Sequence, residues 1–170
     1  YKAYVLPILE YFSPVSNTFL KKDIVKLEKV QRTFTRILYY RAFPDPGYPQ
    51  SLPTYRNRLK KFNLKSLYYR RLEADIIMGF KIVRGEVSLR FSDFWRLRPV
   101  NERRACFNIS LPKFGSACST LLHNSFFCRV PRLLNSLPPS LLDARDSKTF
   151  ICRLKKIDLI HLLKLEDMTD

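Results

Sequence analysis

The sequence predicts a mainly α-helical protein: a helical bundle with an irregular insertion and a C-terminal helix. Three observations predict it. Two sets of apolar residues, Ile24, Leu27, Val30, Phe34, Ile37 and Tyr69, Leu72, Ile76, Phe80, Val83, recur at three- and four-residue steps, the spacing that lines one face of a helix. Helix start and stop signals, Ser66 and Arg84-Gly85, bracket the second set. Between Ser88 and Phe127 neither helical nor strand periodicity persists, which marks the insertion.

Taken in order, Tyr1 to Tyr11 is apolar enough to be buried and helical up to Ser13-Pro14, because proline disfavours helix in the residue before it. A long helix is expected from about Lys21 to Tyr40, with Lys22, Lys26, Lys29, Arg32 and Arg36 opposite its apolar stripe. Phe43 to Pro53 contains four prolines and a glycine, so it is a loop. A short helix follows, with Thr54 as its cap and Tyr55, Leu59 and Phe62 on one face; Asn63 closes it, since Asn tolerates left-handed backbone. Ser66 starts the second long helix, which Arg84-Gly85 stops.

Within the insertion Phe91, Phe94, Trp95 and Phe107 supply bulk, and Asn108 to Leu111 is the one strand candidate. Val130 to Pro139 reads as a short helix with Pro131 in its first turn. Ser147 caps a last helix, carrying Phe150, Leu154 and Ile157, expected to reach Leu163. The resulting segments are 1–42, a loop 43–53, a basic helical pair 54–87, the insertion 88–129 and a C-terminal segment 130–170, together one compact unit.

Charge narrows the function classes. Lys and Arg number 31 against 15 Asp and Glu, a net charge of +16 with a pI near 10.0. Such an excess repels itself in a compact chain and calls for a polyanionic partner. Leu52 to Arg71 is its most concentrated stretch, with seven basic residues and no acid. Solubility alone is better served by mixed charge. Arg56, Arg58, Lys60, Lys61, Arg70 and Arg71 are therefore expected to contact phosphates, together with Lys22, Lys26, Lys29 and Arg36 of the long helix. Of the interleaved aromatics, Tyr55 and Phe62 share a face with Leu59 and belong to the core; Tyr68 is open to either role.

Other chemistries find little support. No segment approaches the roughly 18 uncharged apolar residues of a membrane span, and the longest uncharged run, Phe114 to Cys128, contains Gly115, His123 and Asn124. No small-molecule ligand is expected. Cys106, Cys118, His123, Cys128 and Cys152 are separated by eleven, four, four and twenty-three residues, so the tight two-ligand turn of a zinc knuckle is absent from the sequence. The cysteines are expected to be free thiols in a reducing compartment. His123 and His161 lie in different segments, Glu73 and Asp75 point to different sides of one helix, and no phosphate-binding glycine loop or hydrolase motif occurs. No catalytic residue and no metal is therefore assigned.

Four blocks carry a resemblance: YKAYVLPILEYFSPVSN, VKLEKVQRTFTRIL, YRNRLKKFNLKSLYYRRLEADIIMGFKIVRGEV and NSFFCRVPRLLNSLPPSLLDARDSKTFICRLKKI. In this order and spacing, from Tyr1 to Ile157, they resemble the region following the polymerase palm in reverse transcriptases of LINE-type (non-LTR) retrotransposons, most nearly the jockey-like branch. That family has Trp where Ser16 and Leu134 stand here. The resemblance implies that Tyr1 to Tyr40 is thumb-like, lying along a primer–template duplex, with a C-terminal extension after it. It further implies RNA-directed DNA synthesis by a longer parent protein, whose catalytic aspartates and magnesium belong to a palm upstream of Tyr1, not to this chain. The implied partners are an RNA–DNA hybrid or duplex DNA and that palm; the implied place is the nucleus, after cytoplasmic synthesis. The alternative is a retroelement relic acting only as a basic protein- or membrane-interaction module.

Overall fold

The computed structural model describes residues 1–17, 20–44, 47, 50–98, 108–111 and 120–163. The protein is mainly helical. In chain order the elements are α1 (Val5–Glu10), α2 (Ser13–Ser16), α3 (Lys21–Ala42), α4 (Tyr55–Lys61), α5 (Leu67–Arg84), α6 (Phe91–Phe94), β1 (Arg96–Leu97), β2 (Ile109–Ser110), α7 (Thr120–His123), α8 (Phe126–Asn135), α9 (Pro139–Leu142), α10 (Ser147–Leu154) and α11 (Leu159–Leu162). Where the sequence predicts one compact unit, the chain divides inside α5: one unit runs Tyr1–Leu72 and the second begins at Glu73.

In the first unit, Pro14 does not end helical structure. It sits in the first turn of α2, where its missing N–H leaves no bond unmade, and Phe12 makes the corner with a positive φ of 59°. The long helix α3 forms where expected but is rotated about its axis. Its buried residues are Ile24, Glu28, Gln31 and Thr35, while Val30 and Ile37 are 43% and 47% exposed and Leu27 and Phe34 only half-buried. Hydrogen bonding decides the phase. Glu28 accepts from the Tyr55 hydroxyl and from the backbone N–H groups of Leu67 and Tyr68, and Gln31 donates to the Lys65 carbonyl at 2.9 Å and to the Tyr55 hydroxyl at 3.0 Å. These partners make burial of polar side chains tolerable, and the apolar stripe takes the flank.

Helix α4 begins at the Thr54 cap, whose hydroxyl accepts from Asn57 N–H, and ends at Asn63, with φ of 49°. It runs parallel to α3: Tyr55 meets Glu28, Arg58 meets Thr35, and Lys61 lies over the rings of Tyr39 and Phe43. Leu67 opens α5 after Ser66, whose hydroxyl accepts from Tyr69 N–H at 3.2 Å. Glu28 supplements this cap from another helix, through the two amides at the start of α5.

The second unit is built around the apolar face of α5. Ile76 and Phe80 are buried as predicted, like Leu72 just before the division, and Tyr69 and Val83 are half-buried. Phe80 stacks on Phe150 of α10 at 4.0 Å between ring centroids. Gly79 allows α8 to approach: a Cβ there would lie 2.2 Å from Cγ1 of the fully buried Val130. Asp75, buried on the same helix, accepts from Arg129 of α8 at 2.8 Å.

Pro131 lies inside α8, not in its first turn as expected, because the helix starts four residues earlier than the predicted Val130, at Phe126. A proline at that position leaves the Phe127 carbonyl without its intrahelical donor. The indole N–H of the buried Trp95 supplies it, at 2.8 Å. Phe91, Phe94, Phe126 and Phe127 gather around Trp95, so the bulk of the insertion is an aromatic cluster; Phe107 lies outside the described residues. The strand candidate forms as β2, antiparallel to β1, with Leu97 opposite Ile109. The Asn135 amide completes the ladder, donating to the Ile109 carbonyl and accepting from its N–H, both at 2.9 Å. The last helix is shorter than expected: α10 ends at Leu154 and Asp158 caps a separate α11. Asp146, not Ser147, is the cap of α10, through Thr149 N–H.

Candidate nucleic-acid interface

The rotation of α3 leaves its cations on the outside. At about 100° per residue, Lys22, Lys26, Lys29 and Arg36 fall within roughly 40° of one line, and the buried Ile24, Glu28, Gln31 and Thr35 fall on nearly the opposite side. All four cations are exposed. They extend along about 21 Å of helix at 1.5 Å per residue. Lys26 also pairs loosely with Asp23 at 3.6 Å, an exposed contact of small energetic weight.

On α4 the predicted cations separate into two kinds. Arg56, Lys60 and Lys61 are exposed. Arg58 is 7% exposed and points inward, donating to the Thr35 hydroxyl at 3.4 Å and to the Pro53 carbonyl, with its guanidinium 5.6 Å from the Tyr55 ring centroid. It buttresses the α3–α4 pair. Because α4 runs parallel to α3, Lys60 and Lys61 in its last turn come to the C-terminal end of α3, where cations are favoured by the helix dipole.

The two arginines at the start of α5 are likewise engaged within the unit. Arg70 forms a two-pronged ion pair with Glu10, its Nη2 3.0 Å from Oε2. Arg71 is 7% exposed and donates to the Leu9 carbonyl at 2.8 Å. Both tie α1 to α5. Of the ten cations named from the sequence, Lys22, Lys26, Lys29, Arg36, Arg56, Lys60 and Lys61 stand at the surface, whereas Arg58 and Arg71 are buried and Arg70 is paired. Acceptors for the inward three lie up to about sixty residues away or on the backbone, where residue spacing carries no signal of them.

Beneath this surface lies the polar cluster of Tyr1, Glu28, Gln31 and Tyr55, which residue spacing does not reveal. The Tyr1 hydroxyl donates to Gln31 at 2.7 Å while its ring stacks on Phe34 at 4.1 Å. Burial pushes the Glu28 carboxyl above its ordinary range, against the opposing pull of its hydrogen-bond donors. Burial, with the nearby Glu28 charge, also pushes the Tyr55 hydroxyl up, and raises that of Tyr1 to about 12. Both tyrosines stay protonated near neutrality and serve as donors. Tyr55 is core, as expected; Phe62 is half-buried with its ring edge toward Tyr39, and Tyr68 is half-buried beside Glu28.

Among the described residues no three His, Cys, Asp or Glu side chains gather into a metal site, and no helix is long and apolar enough to cross a membrane. Cys128 is a buried thiol and Cys152 an exposed one; the expectations for Cys106 and Cys118 lie outside the described residues. The geometry suits electrostatic contact with an extended anion. Comparison with protein-family models, with curated proteins and with solved structures yields no match for this chain.

Proposed function

We propose that the first unit binds an RNA–DNA hybrid or duplex DNA through phosphates, as the non-catalytic thumb-like portion of a non-LTR retrotransposon reverse transcriptase. The observation that carries this reading is the single exposed line of Lys22, Lys26, Lys29 and Arg36, set opposite a buried face and flanked by Arg56, Lys60 and Lys61. A duplex presents regularly spaced charge to such a line, and ammonium and guanidinium groups that reach phosphates attract it without reading bases. The chemistry of synthesis belongs to the upstream palm of the parent protein. We assign that palm to the apolar surface of α1 and α2, where Tyr4, Ile8, Tyr11, Phe12 and Val15 are exposed.

A salt titration tests the reading. If about six of the seven surface cations touch phosphate, log affinity falls against log salt with a slope near −5 for a duplex. Replacing Arg56, Lys60 and Lys61 together by Gln flattens the slope by about one unit for each phosphate no longer neutralised, without changing sequence preference. Binding by the triple variant that matches the parent in strength and slope removes α4 from the interface. Binding to anionic vesicles with none to duplex favours the alternative of a basic membrane-interaction module.

A further inference from the structure

The cationic line of α3 ends in aromatic rings. Tyr40 continues the line, one turn beyond Arg36 and thus about 6 Å along the axis, and is 49% exposed; Phe43, three residues on, is 42% exposed. Phe43 packs at a tilt against Tyr39, centroids 5.1 Å apart, and Tyr39 in turn meets the edge of Phe62 at 6.5 Å. Over this group lies Lys61, its Nζ 3.5 Å from the Phe43 centroid and 5.1 Å from that of Tyr39. Lys60 and Arg41 are exposed nearby in sequence on the same two helix ends.

We infer that this end of the first unit is a stacking site for unpaired nucleotides, so that the chain recognises a duplex where it passes into single strand. The inference rests on the phosphate-binding reading above and deepens it. Paired bases keep their faces stacked on one another and offer an aromatic ring nothing; a base beyond the last pair has a free π-face. The Phe43 ring is backed by Tyr39, which is itself held by the edge of Phe62, and this steadies it as a platform. Lys61 is a mobile ammonium on a four-carbon stem. Moved onto the phosphate of the unpaired nucleotide, it uncovers the ring for the base and neutralises the backbone beside it. Tyr40 receives the neighbouring unpaired base.

The test uses the full chain with two probes: a blunt RNA–DNA hybrid, and the same hybrid carrying a short single-stranded extension. Fluorescence anisotropy in equal salt is expected to show about tenfold tighter binding to the extended probe, the effect of one stacked base. Tyr40→Ala with Phe43→Ala removes that preference and leaves blunt-hybrid affinity unchanged. Tyr40→Leu with Phe43→Leu keeps the apolar bulk and loses the same preference, which separates stacking from a folding defect. Equal affinity of the parent for both probes, or a preference that survives the leucine variant, overturns the stacking site while leaving phosphate binding intact. Failure to bind either probe overturns phosphate binding and the stacking site with it.

Discussion

The two units are stabilised by different physics. The first holds its long helix through buried polar groups: Glu28, Gln31 and Thr35 face inward, and their partners are a tyrosine hydroxyl, an arginine, two helix-terminal amides and a carbonyl. The second is an apolar core of Ile76, Phe80, Val130, Leu134, Phe150 and Leu154, with the buried Asp75 paired to the half-buried Arg129 beside it. A directional core fixes which face of a helix is inside; an apolar one tolerates any face that is oily enough. In the first unit that choice leaves Lys22, Lys26, Lys29 and Arg36 outward in a line, so the polar core and the proposed interface follow from one rotation.

The contrast is tested first where the effect is greatest. Phe150→Ala empties a fully buried site stacked on Phe80 and is expected to cost about 3–5 kcal/mol. The single tryptophan, Trp95, lies in the second unit, so its fluorescence during urea unfolding follows that loss. A smaller change in the unfolding midpoint than in an exposed-site control removes the apolar core from the comparison. In the first unit, Glu28→Ala leaves the Tyr55 hydroxyl and the Leu67 and Tyr68 amides without their acceptor and is expected to cost about 2–4 kcal/mol.

Glu28→Gln sharpens the comparison through pH. The folded-state carboxyl holds its proton more tightly than the unfolded one, because burial raises it. Its contribution to stability is therefore full below the ordinary value of 4.5 and declines as pH rises through the raised folded value. The Gln variant is expected to lose that decline, seen as a flatter urea-midpoint profile between pH 4.5 and neutrality. A profile identical to the parent's removes Glu28 as its source. The smallest effect belongs to the flank of α3: Val30→Ser and Ile37→Ser are each expected within about 0.5 kcal/mol, as for exposed positions. A loss of about 2 kcal/mol at either restores them to the core.

The same contrast marks what residue spacing can and cannot reveal. For α5, an apolar stripe packs on apolar neighbours, so Leu72, Ile76 and Phe80 are legible, as are Ser66, Asn63 and Gly85 at the helix ends. For α3 the same rule selects Val30 and Ile37, because the hydrogen-bond partners that make Glu28 and Gln31 burial favourable lie 24 to 40 positions away. The start of α8 is hidden for a related reason: a proline inside a helix is tolerated here because a distant indole bonds the carbonyl it orphans. At the candidate interface, the outward cations of α3 and of α4 are legible from their separation from the core stripe. Arg58, Arg70 and Arg71 are not, since positive charge alone does not distinguish a side chain reaching solvent from one reaching a carbonyl.

The reach of Glu28 to the start of α5 has a consequence for the dynamics of the chain. First-turn amides of a helix have no intrahelical acceptor and ordinarily exchange their hydrogens with water quickly. Those of Leu67 and Tyr68 are instead bonded to a side chain of α3. Their exchange therefore waits on the departure of α3, and two amides at a helix end report the opening of a helix thirty-nine residues earlier in the chain.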